Sequence, residues 1–215
     1  MFMKQLFARQ FFVLFAFVAA LAALPARADD AAPDALVKKV TDEVLTIVRS
    51  DKDIQSGNTK KAIELVEAKV LPHFNFTHMT ALAVGKDWNK ASPEQKKKLS
   101  EEFKTLLVRT YSNALTAYKN QTVVYKPFKM QPGETDVLVR TEIRQPGQQA
   151  VQLDYGLEKS DSGWKVYDVI VAGISLVTNY RESFAQEVRA GGIDGLIASI
   201  SAKNKQIEAK IAEKK

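Results

Sequence analysis

The chain contains no cysteine, and that absence removes several chemistries at once. Disulfide staples, thiol nucleophiles and thiolate metal sites are excluded, and so is a lipid anchor on a cysteine behind a leader. Histidine is nearly absent as well. His73 and His78 are the only two, and their spacing does not put them on one helical face. With no His-Glu-x-x-His pattern, a metal site finds no ligand set. No Gly-x-Ser-x-Gly elbow, phosphate loop or dinucleotide fingerprint occurs. No basic stripe interleaved with aromatics marks a nucleic-acid surface. Beyond residue 28 there is no apolar run of about 18 residues, the length a membrane span needs. Internal repeats and low-complexity linkers are also missing.

Positive charge is scarcer than the net +6 suggests. Three of the 31 basic residues lie in the first 28 positions, which hold no acidic residue. Those positions read as a secretory leader. Lys4 and Arg9 form a basic start, residues 11–24 an apolar core, and Pro25 a break before Ala26-Arg27-Ala28. Cleavage is expected between Ala28 and Asp29. The remaining 187 residues suit one domain with its own core, 29–215, ending in a helix that reaches about residue 211.

What is present is apolar periodicity. Residues 34–50 carry a helical stripe with Asp34 as cap. Ser56-Gly57-Asn58 restarts a helix, and Met79, Leu82 and Ala83 mark a short one that stops at Gly85. Ser92-Pro93-Glu94-Gln95 is a capping box with proline at the first helical position. The helix it opens should run to about Tyr118 and lie across a sheet. Four strands follow: residues 122–130, 135–144, 149–159 and one from Gly163, joined by short turns into an antiparallel meander. Alternation in the fourth strand sets Trp164, Val166, Asp168 and Ile170 against Lys165, Tyr167, Val169 and Val171. Both faces are apolar past Asp168, so that end should be covered on both sides. Ser175 should cap the next helix, which carries Leu176, Tyr180 and Phe184 and stops at Gly191-Gly192, before a last helix. The fold class is α+β: a curved four-stranded antiparallel sheet with helices on one face and around its edge, enclosing an apolar pocket.

The run Trp164-Lys165-Val166-Tyr167-Asp168-Val169, then Gly173-Ile174-Ser175-Leu176-Val177 and Tyr180-Arg181, resembles the signature of the MlaC family, also called the toluene-tolerance or ABC-transporter auxiliary family. Phe76, Met79, Gly85, Trp88, Ala91 and Gln95 are similar to its second motif. The resemblance implies a soluble periplasmic phospholipid carrier with phospholipid as cargo, no other cofactor and no enzymatic activity. It implies shuttling between an outer-membrane lipoprotein–porin complex and an inner-membrane MCE-domain ABC transporter, so that outer-membrane lipid asymmetry is maintained. A monomer that binds no nucleic acid is expected.

For such a carrier the tail chamber is assigned to the inward sheet face and its facing helices. The residues are Leu82, Leu107, Tyr111, Leu115, Val137, Val139, Val151, Leu153, Tyr155, Val169, Val171, Leu176, Tyr180 and Phe184. Arg109, Arg140 and Arg144 are candidates for the rim or for partner contact. Two other readings remain open on the residues alone. One is a curved-sheet enzyme with Asp168, set in an apolar strand, as base. The other is a periplasmic chaperone for apolar segments.

Overall fold

The computed structural model describes residues 31–213. The expected leader and its cleavage site lie outside them. From Ala31 onward the chain forms one compact unit. In order it has helices α1 (Pro33–Ser50), α2 (Lys52–Gln55), α3 (Thr59–Lys69), α4 (Phe76–Val84), α5 (Pro93–Tyr111) and α6 (Asn113–Thr116). Then come strands β1 (Thr122–Tyr125), β2 (Asp136–Arg144), β3 (Val151–Ser160), β4 (Gly163–Val171) and β5 (Ile174–Ser175), and helix α7 (Arg181–Ala212). No helix of the described residues is long and apolar enough to cross a membrane.

The strands form one antiparallel sheet in the order β1-β2-β3-β4-β5, so there are five rather than four. The fifth replaces the expected start of a helix at Ser175. Ala172 and Gly173 take φ 50 and φ 83, the pair of positive values a tight two-residue hairpin requires. The chain therefore turns back onto β4, with Ile174 opposite Val171. Ser175 still caps, but only a 3₁₀ turn: its Oγ accepts from the N–H groups of Val177 and Thr178. The α-helix starts at Arg181. Gly192, with φ 68 and ψ −168, breaks α7 at the expected glycine pair.

Other boundaries moved for local reasons. Proline occupies the first turn of α1, so Ala32 rather than Asp34 stands at the cap position. β1 ends early because Pro127 has no N–H to offer; pairing finishes with Lys126 N–H donating to the Arg140 carbonyl. α5 stops at Tyr111 instead of reaching Tyr118. Just past it, the Asn113 side chain accepts from Thr59 and Thr116 hydroxyls, a competition that disfavours continued helix.

α5 does not lie across the sheet. Its buried residues Leu99, Phe103, Leu106 and Leu107 join Met79 and Ala83 of α4 and Phe184, Leu196 and Ile200 of α7 in a helical cluster. Its start is as predicted. Ser92 Oγ accepts from Gln95 N–H, and Gln95 Oε1 accepts from Ser92 N–H. Gln95 Nε2 also donates to Asp194, tying the start of α5 to α7. Ser92→Ala is expected to cost about 1 kcal/mol of stability, read as a lower urea midpoint at unchanged slope.

The helical cluster joins the sheet at the edge of β4. Phe74 forms a parallel bridge with Val166, and Asn75 N–H donates to the Val166 carbonyl at 2.9 Å. α1 covers one sheet face through Val37. The two segments that carry the family resemblance also meet, because Arg181 donates Nε and Nη2 to the carbonyl of Leu82 at 3.0 and 2.9 Å.

Candidate functional site

Register settles which residues share a sheet face. Val139 is opposite Tyr155 and Tyr155 opposite Val169; Leu153 is opposite Val171 and Ile143 opposite Val151. Val137, Val139, Thr141, Val151, Leu153, Tyr155, Val169 and Val171 therefore point the same way. Strict alternation would place Trp164 and Val166 on the opposite face from Val169. It fails because β4 holds one extra residue: Gly156 pairs with Asp168, and the next pair is Leu157 with Val166. Tyr167 is the bulged residue. Its ring lies over Gly156, where an added Cβ would come within 3.1 Å of it. The bulge brings Trp164 and Val166 onto the face of Val169 and Val171. An isolated glycine inside a strand was the available signal, and Gly156 carried it.

This apolar face has two unlike halves. Near the β3–β4 turn it is sealed. Leu157 is 0% exposed, and Val137, Val139, Trp164 and Val166 are buried with it beneath Val37, Leu36, Phe74 and Phe128. Toward the other end cover is incomplete. Ile143, Leu153, Val169, Val171 and Leu176 are half-buried, Val151 is 40% exposed and Ile174 60%. The expectation for β4 was the reverse, with its far end doubly covered. The reason lies in α1. Its first half turns Val37 to the sheet, but Val44 and Val48 turn to Ile54 of α2 and Leu65 of α3. Its second half meets the sheet region through polar ties instead. Tyr125 donates its hydroxyl to Asp42, and Arg49 Nε donates to the Tyr118 hydroxyl.

The buried core is thus divided into three clusters, one helical, one between α1 and the sheet, and one among α1, α2 and α3. The expected chamber residues are spread across them. Leu82, Leu107, Tyr111, Tyr180 and Phe184 belong to the helical cluster; Val137, Val139, Tyr155 and Val169 to the sheet cluster; Leu115 to the third. Val151, Leu153, Val171 and Leu176 belong to none of the three. Burial pushes the Tyr155 hydroxyl up to about 12, so it stays neutral beside Thr41 and Thr141. Tyr180 is likewise pushed up to about 12 by burial and by the neighbouring Tyr111.

Two surface grooves lie elsewhere. One, of about 630 Å³, runs between α3, α5 and the end of α7, and of the expected site residues only Arg109 lines it. Arg109 is held across to α7, donating to the Asn204 carbonyl and pairing with Glu208. The second, of about 620 Å³, is lined by Phe76, Trp88 and residues at the start of α5. Sequence reading passed over it. Arg140 is exposed on the opposite sheet face from the apolar residues, and Arg144 pairs with Glu142. Asp168 is buried, but its Oδ1 accepts only from the N–H of Val169, with no side chain placed to share a proton. His78 pairs with Glu158 and stacks on Tyr167, and burial holds His73 below its usual value. No group of three or more His, Asp or Glu side chains among the described residues could hold a metal ion.

The scaffold is α+β, with a divided core and one apolar sheet face left incompletely covered. Residues 38–202 match the family model described as MlaC protein, and the chain belongs to that family. Over 201 residues, 92% of each chain, it is 24% identical to the intermembrane phospholipid transport system binding protein MlaC of Haemophilus influenzae. It is 28% identical over 163 residues, 75% of each chain, to the toluene tolerance protein ttg2D of Pseudomonas putida. Among solved structures it is similar to the phospholipid-binding protein of Ralstonia solanacearum in complex with a phospholipid. Identity there is 40% and the TM-score 0.77, covering 83% of this chain and 99% of that one.

Proposed function

We propose that this protein is a periplasmic phospholipid carrier, exported by its leader, cleaved between Ala28 and Asp29, and active as a monomer without catalysis. It takes lipid from one membrane system and hands it to another, between an outer-membrane lipoprotein–porin complex and an inner-membrane MCE-domain ABC transporter. The observation that carries the reading is the phospholipid held by the 40% identical Ralstonia protein, whose fold this chain shares over 83% of its length. The half-covered sheet face supports it from this chain's own residues. Leu153, Val171 and Leu176 offer half-buried apolar surface that belongs to none of the three clusters.

Energetics demand such a surface. A phospholipid with two long tails has about 30 methylenes at roughly 0.8 kcal/mol each. Exposing them costs on the order of 20 kcal/mol, so both tails need an apolar sheath in transit. Those tails lie against the open half of the sheet face, the three clusters parting to form an apolar pocket within a more curved sheet. Leu82, Leu107, Tyr111, Leu115, Tyr180 and Phe184 form its helical wall. Arg140 and Arg144 stand toward solvent for a head group or a partner. Native mass spectrometry of protein purified without detergent tests this. An adduct of phospholipid mass, near one per chain, is the expected result, and a uniformly bare chain with no extractable lipid would overturn it.

A further inference from the structure

The groove along the first part of α5 brings aromatic and basic side chains together. Phe76 and Trp88 form its apolar floor, and Lys96, Lys97 and Lys104 stand around it with Glu101 as the lone acidic lining residue. Lys96 Nζ sits 5.6 Å from the centre of the Trp88 ring. That leaves the indole half-buried under a cation, apolar within and polar at its rim. Lys97 and Lys104 make no hydrogen bond or ion pair. Their neighbours Lys90 and Lys98 do, with Asp87 and Glu102. Two of the three lysines that line the groove therefore carry no counter-charge, and the third lies against the Trp88 ring. None of the residues assigned to the tail site takes part.

We propose that this groove docks the protein onto an anionic phospholipid bilayer, with the lysines meeting head-group phosphates and Trp88 seated at the interface. Charge complementarity selects that occupant. Unpaired lysines flanking an interfacial tryptophan suit a sheet of phosphates above an acyl layer, where each cation adds to the attraction and the ring finds a half-apolar depth. A neutral apolar partner would leave Lys97 and Lys104 desolvated without counter-charge. Docking rests on the carrier reading for its purpose only. It brings the carrier to a membrane surface, and its test does not depend on bound cargo.

Flotation with vesicles of phosphatidylglycerol and phosphatidylcholine in equal parts, against phosphatidylcholine alone, reads the association. The protein is expected to float with the anionic vesicles at about 0.1 M salt and to be released at about 1 M, where the screening length falls from about 10 to about 3 Å. The double change Lys97→Gln with Lys104→Gln is expected to lower partition about 25-fold, roughly fivefold for each cation, at unchanged circular dichroism. In a Trp164→Phe background Trp88 is the only tryptophan, and its emission should shift to the blue on anionic vesicles alone. Equal binding to both vesicle types, full binding by the double variant, or association with an acidic protein surface but not with vesicles would each overturn the proposal. Lipid adducts in native mass spectra of the same double variant keep the two readings apart, since cargo binding should persist when docking is lost.

Discussion

Val171→Glu is expected to leave the chain folded and strip it of lipid. Val171 lies on the open half of the sheet face, opposite Leu153, and only the two-residue β5 covers its outer side. It is half-buried, so a glutamate there can reach water in the empty protein, and the fold survives. Once acyl chains occupy the face, that route closes. The carboxylate must then be desolvated against methylenes or protonated, and no cation among its register partners compensates it. The affinity for phospholipid should fall at least about 100-fold, about 3 kcal/mol, while the circular dichroism spectrum stays unchanged. Val171→Leu, which adds volume without charge, should keep its lipid. Native mass spectra of the two variants check the pair. Normal cargo on the glutamate variant would move the tail site away from this half of the sheet.

The opposite dissociation is expected from Phe103→Ala. Phe103 is fully buried in the helical cluster, its ring edge-on to Tyr180 at 5.2 Å and to Phe184 at 5.3 Å. Removing it deletes both aromatic contacts and opens a cavity that helices α5 and α7 cannot close, at a cost of about 3–5 kcal/mol. The thermal midpoint should drop by roughly 10 °C. Urea unfolding gives the stability, and lipid extraction from the folded fraction gives the cargo. Cargo should persist in the folded fraction, because Phe103 is not itself a wall residue: Tyr180 and Phe184 lose a neighbour but stay in place, and the open sheet face keeps its own residues. A change of less than about 1 kcal/mol would mean that the cluster repacks around the loss.

Much of this architecture was legible because local chemistry and tertiary packing agree. Ser92-Pro93-Glu94-Gln95 could only open a helix, and the alternation of Val137, Val139, Thr141 and Ile143 could only make a half-buried strand. The readings that failed lie where two local signals conflict. Gly173-Ile174-Ser175 offers both a hairpin turn and a helix cap, and backbone pairing with β4 decided for the hairpin. The wide apolar face of α5 says that it is buried but not against what, and α7 rather than the sheet took it. The seven sheet residues assigned to the site do fall on one face. The helical residues assigned with them could not be placed from periodicity, since Leu115 and Phe184 belong to different clusters. A groove such as that of Trp88 and Lys96 joins residues from three elements, and no single stretch of sequence announces it.

The bulge at Tyr167 makes β4 a strand with a phase step in it. On the Gly163 side of the step, even-numbered residues look toward α1; on the Val171 side, odd-numbered ones do. Substitutions that keep a side chain's size and polarity leave this arithmetic untouched on either side. Losing Tyr167 itself would close the step into a regular strand and leave Trp164, Val166, Val169 and Val171 on one face. Drawing Tyr167 into the ladder with no residue lost would instead turn Trp164 and Val166 out to water and Lys165 inward, while Val169 and Val171 held their places. What this strand must keep from one version of the protein to the next is therefore the parity between its two halves, which a bulge supplies here and one residue fewer would supply as well.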